Sequence, residues 1–230
     1  SNMEMPVKGF QGQPVWGSHA SIVKAKESRP IRLFTVGKKW SKEPQNNLEG
    51  EWLLHSSKNV ADFSAVAYFF GRLLEEDLAV PVALINFSSS ASKIESWMDF
   101  RTLSEIKDVD LSVLEADSFS YPNGTPTLLY NSMIHPFKGL VVKGVLWYQG
   151  ESNVSDPLLY GKLFPAFVKQ CRTFFEDDNL PFYYAQIAPW ESADKDGFDW
   201  ADFRQVQLET IQEVPNVGMV ITADLGSEKF

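Results

Sequence analysis

The sequence predicts an α/β protein built on a mainly parallel β-sheet with helices on both faces. Strand-like and helix-like stretches alternate through the second half of the chain, as in consecutive β–α–β units. The runs at 80–87 and 141–148 are apolar almost throughout, which is typical of parallel strands buried on both sides. Small and polar residues follow both runs, at the strand ends where open α/β sheets bind ligands.

The first half contains two predicted strands and one strongly predicted helix. Residues 31–36 alternate as a strand does, and 80–87 form the second strand. Between them, apolar residues from Phe63 to Leu74 recur at helical spacing, with Asp62 as the expected cap. The segments 10–30 and 37–61 carry turn-forming and charged residues and are predicted to be loops.

The remaining segments fill out the same architecture. Helices are predicted at 94–98, 102–117, 126–134, 157–175 and 201–214, with a turn at 121–124. Strands are predicted at 181–187 and 217–222, and a polar loop at 190–197. No repeat or linker divides the 230 residues, so a single domain is expected.

Composition excludes several classes of function. The formal net charge of -9 argues against nucleic-acid and anionic-membrane partners, because both require a basic face. No run of 18 apolar residues is present to span a membrane, and no signal peptide is visible. The single cysteine, Cys171, lies on an apolar helical pattern and is expected to be an inert core thiol. No cysteine or histidine spacing suits a metal site, and no cofactor is predicted.

The polar residues after the run at 141–148 are the main candidates for chemistry. Gln149 offers an amide donor, Glu151 an acceptor and Asn153 both. A second polar segment, at 87–93, contains Ser90, and a third follows the strand at 181–187. If the strands before Ser90 and Gln149 are neighbours, backbone N–H groups near Ser90 and the Gln149 amide could together hold an oxyanion.

A catalytic base is harder to find among the three histidines. His19 and His55 lie in predicted loops and are expected to be solvated. His135 follows an apolar helix and precedes Pro136, which favours a partly buried, hydrogen-bonded side chain, with a role in a pocket as the alternative. None of the three belongs to a recognisable serine–histidine arrangement.

The string Trp147-Tyr148-Gln149-Gly150-Glu151-Ser152-Asn153 resembles the signature of the sialate O-acetylesterase family, within the SGNH/GDSL-like hydrolases. The segments 1–6, 63–70, 94–98 and 130–136 are similar to other blocks of that family, so the resemblance covers essentially the whole chain. It implies a three-layer α/β/α fold, flavodoxin-like in type, and hydrolysis of O-acetyl esters on sugars without a metal or cofactor.

The resemblance assigns a role to each matching residue. Ser1 would be the nucleophile, and its backbone N–H would join the oxyanion hole. Ser90 would supply a second backbone donor, although Ser90-Ala91 stands where the family has a Gly-Gly pair. Gln149 would be the side-chain donor. Glu151 and Asn153 would support the loop. The resemblance gives His135 no role of its own, so a pocket or loop residue remains the prediction from its sequence position.

The family's acid and base come as Asp-x-x-His after a stretch similar to 222–226, so we expect them beyond Phe230. The family's first strand would precede Ser1 in the same way. The chain is therefore expected to be one SGNH-type esterase domain, 1–230, truncated at both ends. The alternative for Ser1-Asn2 is a remnant of tag cleavage.

The predicted function is a serine esterase that removes O-acetyl groups from sugars, with O-acetylated sialic acid as the first substrate. Acetylxylan or another acetylated glycan is the alternative substrate, and a catalytically silent glycan-binding module or an inactive structural fragment is the alternative function. The family resemblance also predicts a periplasmic or secreted protein. The sequence makes no prediction about oligomeric state.

Overall fold

In the part of the chain that the structure describes, five of the six β-strands run parallel to a neighbour, as the sequence predicts. The structure is a computed structural model, and it describes residues 2–10, 12–26, 29–189 and 200–224. Contacts between Cα atoms divide the chain into two compact units. The first unit comprises Ser1–Lys38 and Leu48–Ser90, and the second comprises Lys39–Asn47 and Ala91–Phe230.

The helices and strands have the following bounds. In chain order they are α1 (Ser18–Lys24), β1 (Ile31–Thr35), β2 (Trp52–Leu54), α2 (Ser57–Asp62), α3 (Ala65–Leu78), β3 (Val82–Asn86), α4 (Phe100–Ser104), β4 (Val145–Trp147), α5 (Pro157–Phe174), β5 (Phe182–Ala185), α6 (Trp200–Glu213) and β6 (Val217–Val220). Single helical turns lie at Asn2–Glu4, Ile94–Trp97, Ser112–Glu115, Pro122–Gly124, Tyr130–Ile134, His135–Phe137 and Glu151–Asn153.

The first unit is a three-stranded sheet in the order β2-β1-β3, with α3 packed against it. β1 and β3 are parallel, with Leu33 opposite Leu84, whereas β2 is antiparallel to β1. A Cβ added at Gly71 of α3 would lie 2.6 Å from the Leu84 side chain, so glycine lets the helix approach the sheet this closely. The fully buried side chains of Leu33 and Tyr68 lie in this core.

The second unit is a parallel sheet in the order β4-β5-β6, accompanied by α5 and α6. α5 begins at the N-cap Asp156, whose carboxylate accepts a hydrogen bond from the Leu159 N–H at 2.9 Å. Its buried face follows helical spacing and is largely aromatic. The rings packed between α5, α6 and β5 belong to Tyr160, Phe164, Phe167, Phe182, Tyr184 and Phe203, with neighbouring centroids 4.5–6.0 Å apart.

Several local predictions are wrong. The predicted loops 10–30 and 37–61 contain α1, β2 and α2. α3 is capped by Ser64, whose hydroxyl accepts from the Ala67 N–H at 3.3 Å, while the predicted cap Asp62 ends α2 instead. The predicted strand 141–148 is shortened to β4, because Val141 is 76% exposed and lies outside the sheet. The predicted helix 102–117 is broken into α4 and the turn Ser112–Glu115.

The predicted helix at 126–134 begins only at residue 128 and widens into a π-helical turn over Tyr130–Ile134. The predicted polar loop at 190–197 lies outside the described residues. Within the described residues, no helix is long and apolar enough to cross a membrane.

Two single-residue expectations have opposite outcomes. Cys171 is buried, and burial raises the pKa of its thiol to about 12, as an inert core cysteine requires. His55 was expected to be solvated, but its side chain is 1% exposed. Its Nδ1 lies 2.8 Å from the Lys26 carbonyl and its Nε2 lies 3.2 Å from the Tyr68 hydroxyl. His55 is therefore a hydrogen-bonded core residue of the first unit.

Candidate active site around Gln149

Gln149 lies two residues beyond the carboxyl end of β4, in the second unit. Its backbone carbonyl accepts hydrogen bonds from the Tyr160 hydroxyl and the Gln207 side-chain amide, both at 3.3 Å. These donors come from α5 and α6. Two packed helices thus hold the polypeptide where the strand ends, which is where parallel sheets place functional groups.

Gly150 leaves no room for a side chain. A Cβ at this position would lie 2.6 Å from both the Ile187 and the Phe203 side chains. Heavy atoms at that distance overlap, so a larger residue would push the loop away from α6 and from the segment after β5. The glycine therefore lets the loop after β4 lie directly on the core.

The Gln149 side chain is buried in a chain of polar contacts within the second unit. Its Nε2 donates to the Ser92 carbonyl at 2.9 Å and to Asn153 Oδ1 at 2.7 Å. Asn153 Oδ1 also accepts from the Ile94 N–H at 3.0 Å, and Asn153 Nδ2 donates to Glu95 Oε2 at 2.8 Å. Gln149, Asn153 and Glu95 are each less than 10% exposed.

These contacts determine which way both amides point. An N–H group and a carboxylate flank Asn153, so its oxygen must face Ile94 and its nitrogen must face Glu95. Gln149 must then turn its nitrogen toward Asn153 Oδ1 and the Ser92 carbonyl. The Gln149 Oε1 atom is buried without a hydrogen-bond partner among the described residues. Such an unpaired acceptor costs about 1–3 kcal/mol.

This arrangement has a consequence for catalysis. Both N–H bonds of the Gln149 amide already point to protein acceptors. To donate to a developing oxyanion, the amide must release the Ser92 carbonyl or Asn153 Oδ1. The predicted donor role of Gln149 stays a prediction.

Ser90 lies in the first unit, in the segment that follows β3, and its side chain is exposed. Its hydroxyl donates to the Glu4 carboxylate, which also pairs with Lys38 Nζ at 2.6 Å. Burial by itself would raise the pKa of Glu4, but the hydrogen bonds from Lys38 and Ser90 outweigh it and lower the pKa. Glu4 is thus an ionised anchor for the Ser90 hydroxyl.

Ala91 has a φ of +51°, in the left-handed region that alanine rarely adopts. The family resemblance places a glycine pair at Ser90-Ala91, and the left-handed backbone is the conformation that glycine adopts without strain. Alanine here costs roughly 1–2 kcal/mol. The backbone thus keeps a glycine-type conformation at Ala91, although the glycine itself is replaced.

The other predicted site residues have different outcomes. Ser1 lies outside the described residues. Glu151 is exposed at the start of the turn Glu151–Asn153, whereas Asn153 is buried and bonded to Gln149. His135 lines a different feature of the second unit, a cleft that does not include Gln149. Ser92, which contacts Gln149, and Glu95, which contacts Asn153, were missed. The signal for Glu95 was an acid directly after Ile94 and two residues before Trp97, on a largely apolar segment.

Among the described residues, no cluster of three or more His, Cys, Asp or Glu side chains is placed to hold a metal ion. The groups gathered around Gln149 are amides, carbonyls and one carboxylate. They orient one another and hold the Gln149 amide in one position.

Comparison with known proteins identifies the family. A sequence model of the family "Carbohydrate esterase, sialic acid-specific acetylesterase" matches residues 1–229. The human sialate O-acetylesterase is 32% identical over 209 residues, which cover 84% of this chain and 38% of the human protein. The rat sialate O-acetylesterase is 25% identical over 261 residues, with 95% of this chain and 47% of the rat protein covered.

Solved structures agree with the sequence matches. A carbohydrate acetylesterase from Xanthomonas citri superimposes with a TM-score of 0.83 at 34% identity, over 99% of this chain and 49% of its own. A protein from Arabidopsis thaliana superimposes with a TM-score of 0.54 at 20% identity, over 90% of this chain and 73% of its own, which shows likeness of fold alone. These results confirm the predicted α/β fold class.

The chain spans less than half the length of the human and rat proteins and of the Xanthomonas citri enzyme. The match to the family nevertheless extends over nearly all of the present residues. The chain therefore belongs to the sialic acid-specific acetylesterase family of carbohydrate esterases.

Proposed function

We propose that the protein removes O-acetyl groups from sugars by serine esterase chemistry, with O-acetylated sialic acid as its natural substrate. The observation that carries this proposal is the family match over residues 1–229, together with relatives named as sialate O-acetylesterases. Because this chain spans less than half of those relatives, the activity of the whole protein is part of the proposal.

In the proposed reaction the Ser1 hydroxyl attacks the acetyl carbonyl and passes its proton to a histidine. The tetrahedral intermediate then expels the sugar oxygen, which takes that proton from the histidine and leaves as a hydroxyl, and water hydrolyses the acetyl-enzyme to acetate. In this proposal the side chain of Gln149 is one of the donors that stabilise the oxyanion. The family resemblance assigns the roles of base and orienting acid to the histidine and aspartate of an Asp-x-x-His motif.

The test is acetate release from O-acetylated sialic acid and, for comparison, from acetylated xylan. Both are assayed with this chain and with the longest form that its gene encodes. Activity in the longer form alone agrees with a base beyond Phe230. Activity of this chain by itself would instead direct attention to His135. Faster release from xylan than from sialic acid would overturn the substrate assignment.

Gln149→Ala tests the donor role in the active form. Removing one oxyanion donor typically lowers kcat by about 100- to 1,000-fold. Gln205→Ala is the matched control, because it makes the same substitution at an exposed position of α6 and is expected to leave turnover unchanged. Unchanged turnover in Gln149→Ala, with the melting temperature retained, would exclude the donor role.

A second candidate, a glycan-binding module without catalysis, is favoured by one observation. Both N–H bonds of Gln149 are already held by protein acceptors, so an amide fixed in this way supports structure rather than an oxyanion. Sugar binding without acetate release in the longest form would select this function over the esterase.

A further inference from the structure

A cleft of about 600 Å³ lies wholly within the second unit, outside the contacts of Gln149. Its volume falls in the range of about 300–1,000 Å³ that is usual for small-molecule sites. The lining residues used below are Asp99, Phe100, Thr127, Tyr130, Asn131 and His135. We propose that this cleft is a binding site for a neutral, hydroxyl-rich sugar unit.

An unusual backbone forms one wall of the cleft. Residues Tyr130–Ile134 make a π-helical turn, and the His135 N–H closes it on the Tyr130 carbonyl. Just before it, Thr127 has a φ of +67°, which is a strained conformation for a β-branched residue. Both π-helical turns and such strained residues concentrate at functional sites, because ordinary packing does not select them.

The loop 39–47 is tied to this turn by hydrogen bonds. Asn131 Nδ2 donates to the Ser41 carbonyl at 3.2 Å and to the Lys42 carbonyl at 2.7 Å. The Ser132 hydroxyl donates to the Lys39 carbonyl at 2.6 Å, and His135 Nδ1 lies 2.8 Å from the Gln45 carbonyl. These bonds hold the wall and the loop together before any ligand arrives, which lowers the ordering cost of binding.

The same bonds leave acceptor atoms on the lining residues. A carbonyl can only accept, so His135 Nδ1 is the donor in this bond, and in the neutral imidazole Nε2 is then an acceptor. Asn131 directs its nitrogen to two carbonyls, which leaves Oδ1 as an acceptor. Neither of these two acceptor atoms has a hydrogen-bond partner among the described residues. The Asn131 residue as a whole is 6% exposed.

Charge selects the kind of ligand. Asp99 adds a carboxylate whose Oδ1 caps α4 through the Thr102 N–H at 2.7 Å. Of the two basic residues in the lining, Lys42 donates to the Ala116 carbonyl at 2.9 Å, and Arg101 is paired at 4.0 Å with Glu105. Glu43 also lines the cleft, so two carboxylates and two cations leave it without a net formal charge. Burying a ligand charge that finds no partner costs free energy, so such a cleft favours a neutral ligand. Sugar hydroxyls are hydrogen-bond donors without charge, and they match the acceptor atoms of the lining.

Phe100 supplies the apolar surface that a sugar ring needs. Its side chain is 58% exposed at the first position of α4, and it lines the cleft. An exposed aromatic ring beside hydrogen-bonding groups offers one face for packing and leaves the ligand's hydroxyls to the polar side. The tetrasaccharide xylotetraose, which is neutral and carries no acetyl group, presents such faces.

The test is a titration of this chain with xylotetraose, followed by NMR chemical shifts. We expect saturable binding, with shifts concentrated at Phe100, the Asn131 side-chain amide and the His135 ring. N-Acetylneuraminic acid, which is anionic, should bind at least tenfold more weakly. Tighter binding of the anionic sugar, or shifts located elsewhere, would overturn the proposal.

Two variants with matched controls make the test specific. Phe100→Ala should weaken xylotetraose binding roughly tenfold, whereas Trp16→Ala, at a 97% exposed ring of the first unit, should not change it. His135→Asn keeps a donor for the Gln45 carbonyl and removes the Nε2 acceptor, so it should weaken binding while the melting temperature is retained. Unaltered affinity in both variants would refute the site.

A negative result for xylotetraose binding can be distinguished from a lack of esterase activity, because xylotetraose contains no ester and its binding is measured without turnover. A titration with the cation spermidine completes the comparison of neutral, anionic and cationic ligands. Spermidine binding at these residues in the absence of xylotetraose binding would overturn the assignment to a neutral sugar.

Discussion

Asn153→Asp tests whether the buried contacts around Gln149 have the orientation described above. The substitution keeps Oδ1, so the bonds from Ile94 and Gln149 can persist. It replaces the nitrogen that donates to Glu95 Oε2 at 2.8 Å with a second carboxylate oxygen. Two carboxylates this close cannot both be ionised, so the pair must hold one proton.

The magnitude follows from the free energy of keeping that proton. A carboxyl group of an unfolded chain titrates near pH 4, and each pH unit above that adds about 1.4 kcal/mol to the cost of protonation. The variant should therefore be less stable than the wild type by about 1 kcal/mol at pH 5 and by about 4 kcal/mol at pH 7. An independent estimate of the repulsion, about 4 kcal/mol at 4 Å and an effective dielectric constant of about 20, agrees with this upper value.

The sign is fixed by the raised pKa of the pair in the folded variant. Its proton is bound in the folded state and released in the unfolded state, so stability is highest at acid pH and falls as the pH rises. Urea unfolding followed by tryptophan fluorescence at pH 5, 6 and 7 measures this difference against the wild type at each pH.

Asn47→Asp is the matched control, because Asn47 is exposed and the added charge is solvated. It should change the free energy of unfolding by less than about 0.5 kcal/mol, with no trend in pH. A stability loss in Asn153→Asp that is the same at pH 5 and pH 7 would refute the assigned orientation of Asn153 toward Glu95.

Three further predictions concern single residues. Ala91→Gly should raise the free energy of unfolding by about 0.5–1 kcal/mol, because relief of the left-handed strain exceeds the entropy cost of glycine. Ala79→Gly, at the left-handed cap of α3, should raise it in the same way. A loss of stability in both variants, measured by urea unfolding, would contradict this reasoning. Gly150→Ala should lower the free energy of unfolding by about 1–3 kcal/mol, because the added methyl group overlaps with Ile187 and Phe203. An unchanged melting temperature would show that the loop can shift to make room for the methyl group. Burial raises the pKa of the Cys171 thiol to about 12. The native protein should therefore not react with a thiol reagent at pH 8, whereas the urea-unfolded protein should react. Rapid reaction of the native protein would show that the thiol is accessible.

Part of the candidate site was predictable because its residues are close in the chain. Gln149 and Asn153 are four residues apart, directly after an apolar run, and a single helical turn brings their side chains to 2.7 Å. The partner that orients Asn153 was not predictable. Glu95 lies 58 residues earlier, and only the folding of the second unit places its carboxylate beside Asn153.

The errors have a common physical origin. Val141 is as apolar as the residues of β4 but is exposed, and His55 is as polar as His19 but is buried. A hydrophobic side chain favours burial, but whether it is buried depends on where the sheet ends and which helices pack beside it. Likewise, the helical spacing at 126–134 does not reveal that the turn at Tyr130–Ile134 is π-helical, because that depends on how it packs.

The sequence by itself determined the fold class, the positions of α3, α5 and the parallel strands, and the family to which the chain belongs, since periodicity and motifs are properties of neighbouring residues. Only the tertiary structure decided which acceptors the Gln149 amide bonds, that Ala91 takes a left-handed backbone, and that His135 lines a separate cleft with its Nδ1 beside the Gln45 carbonyl. A side chain's hydrogen-bond partners come from segments distant in the chain, so they exist only once those segments have packed.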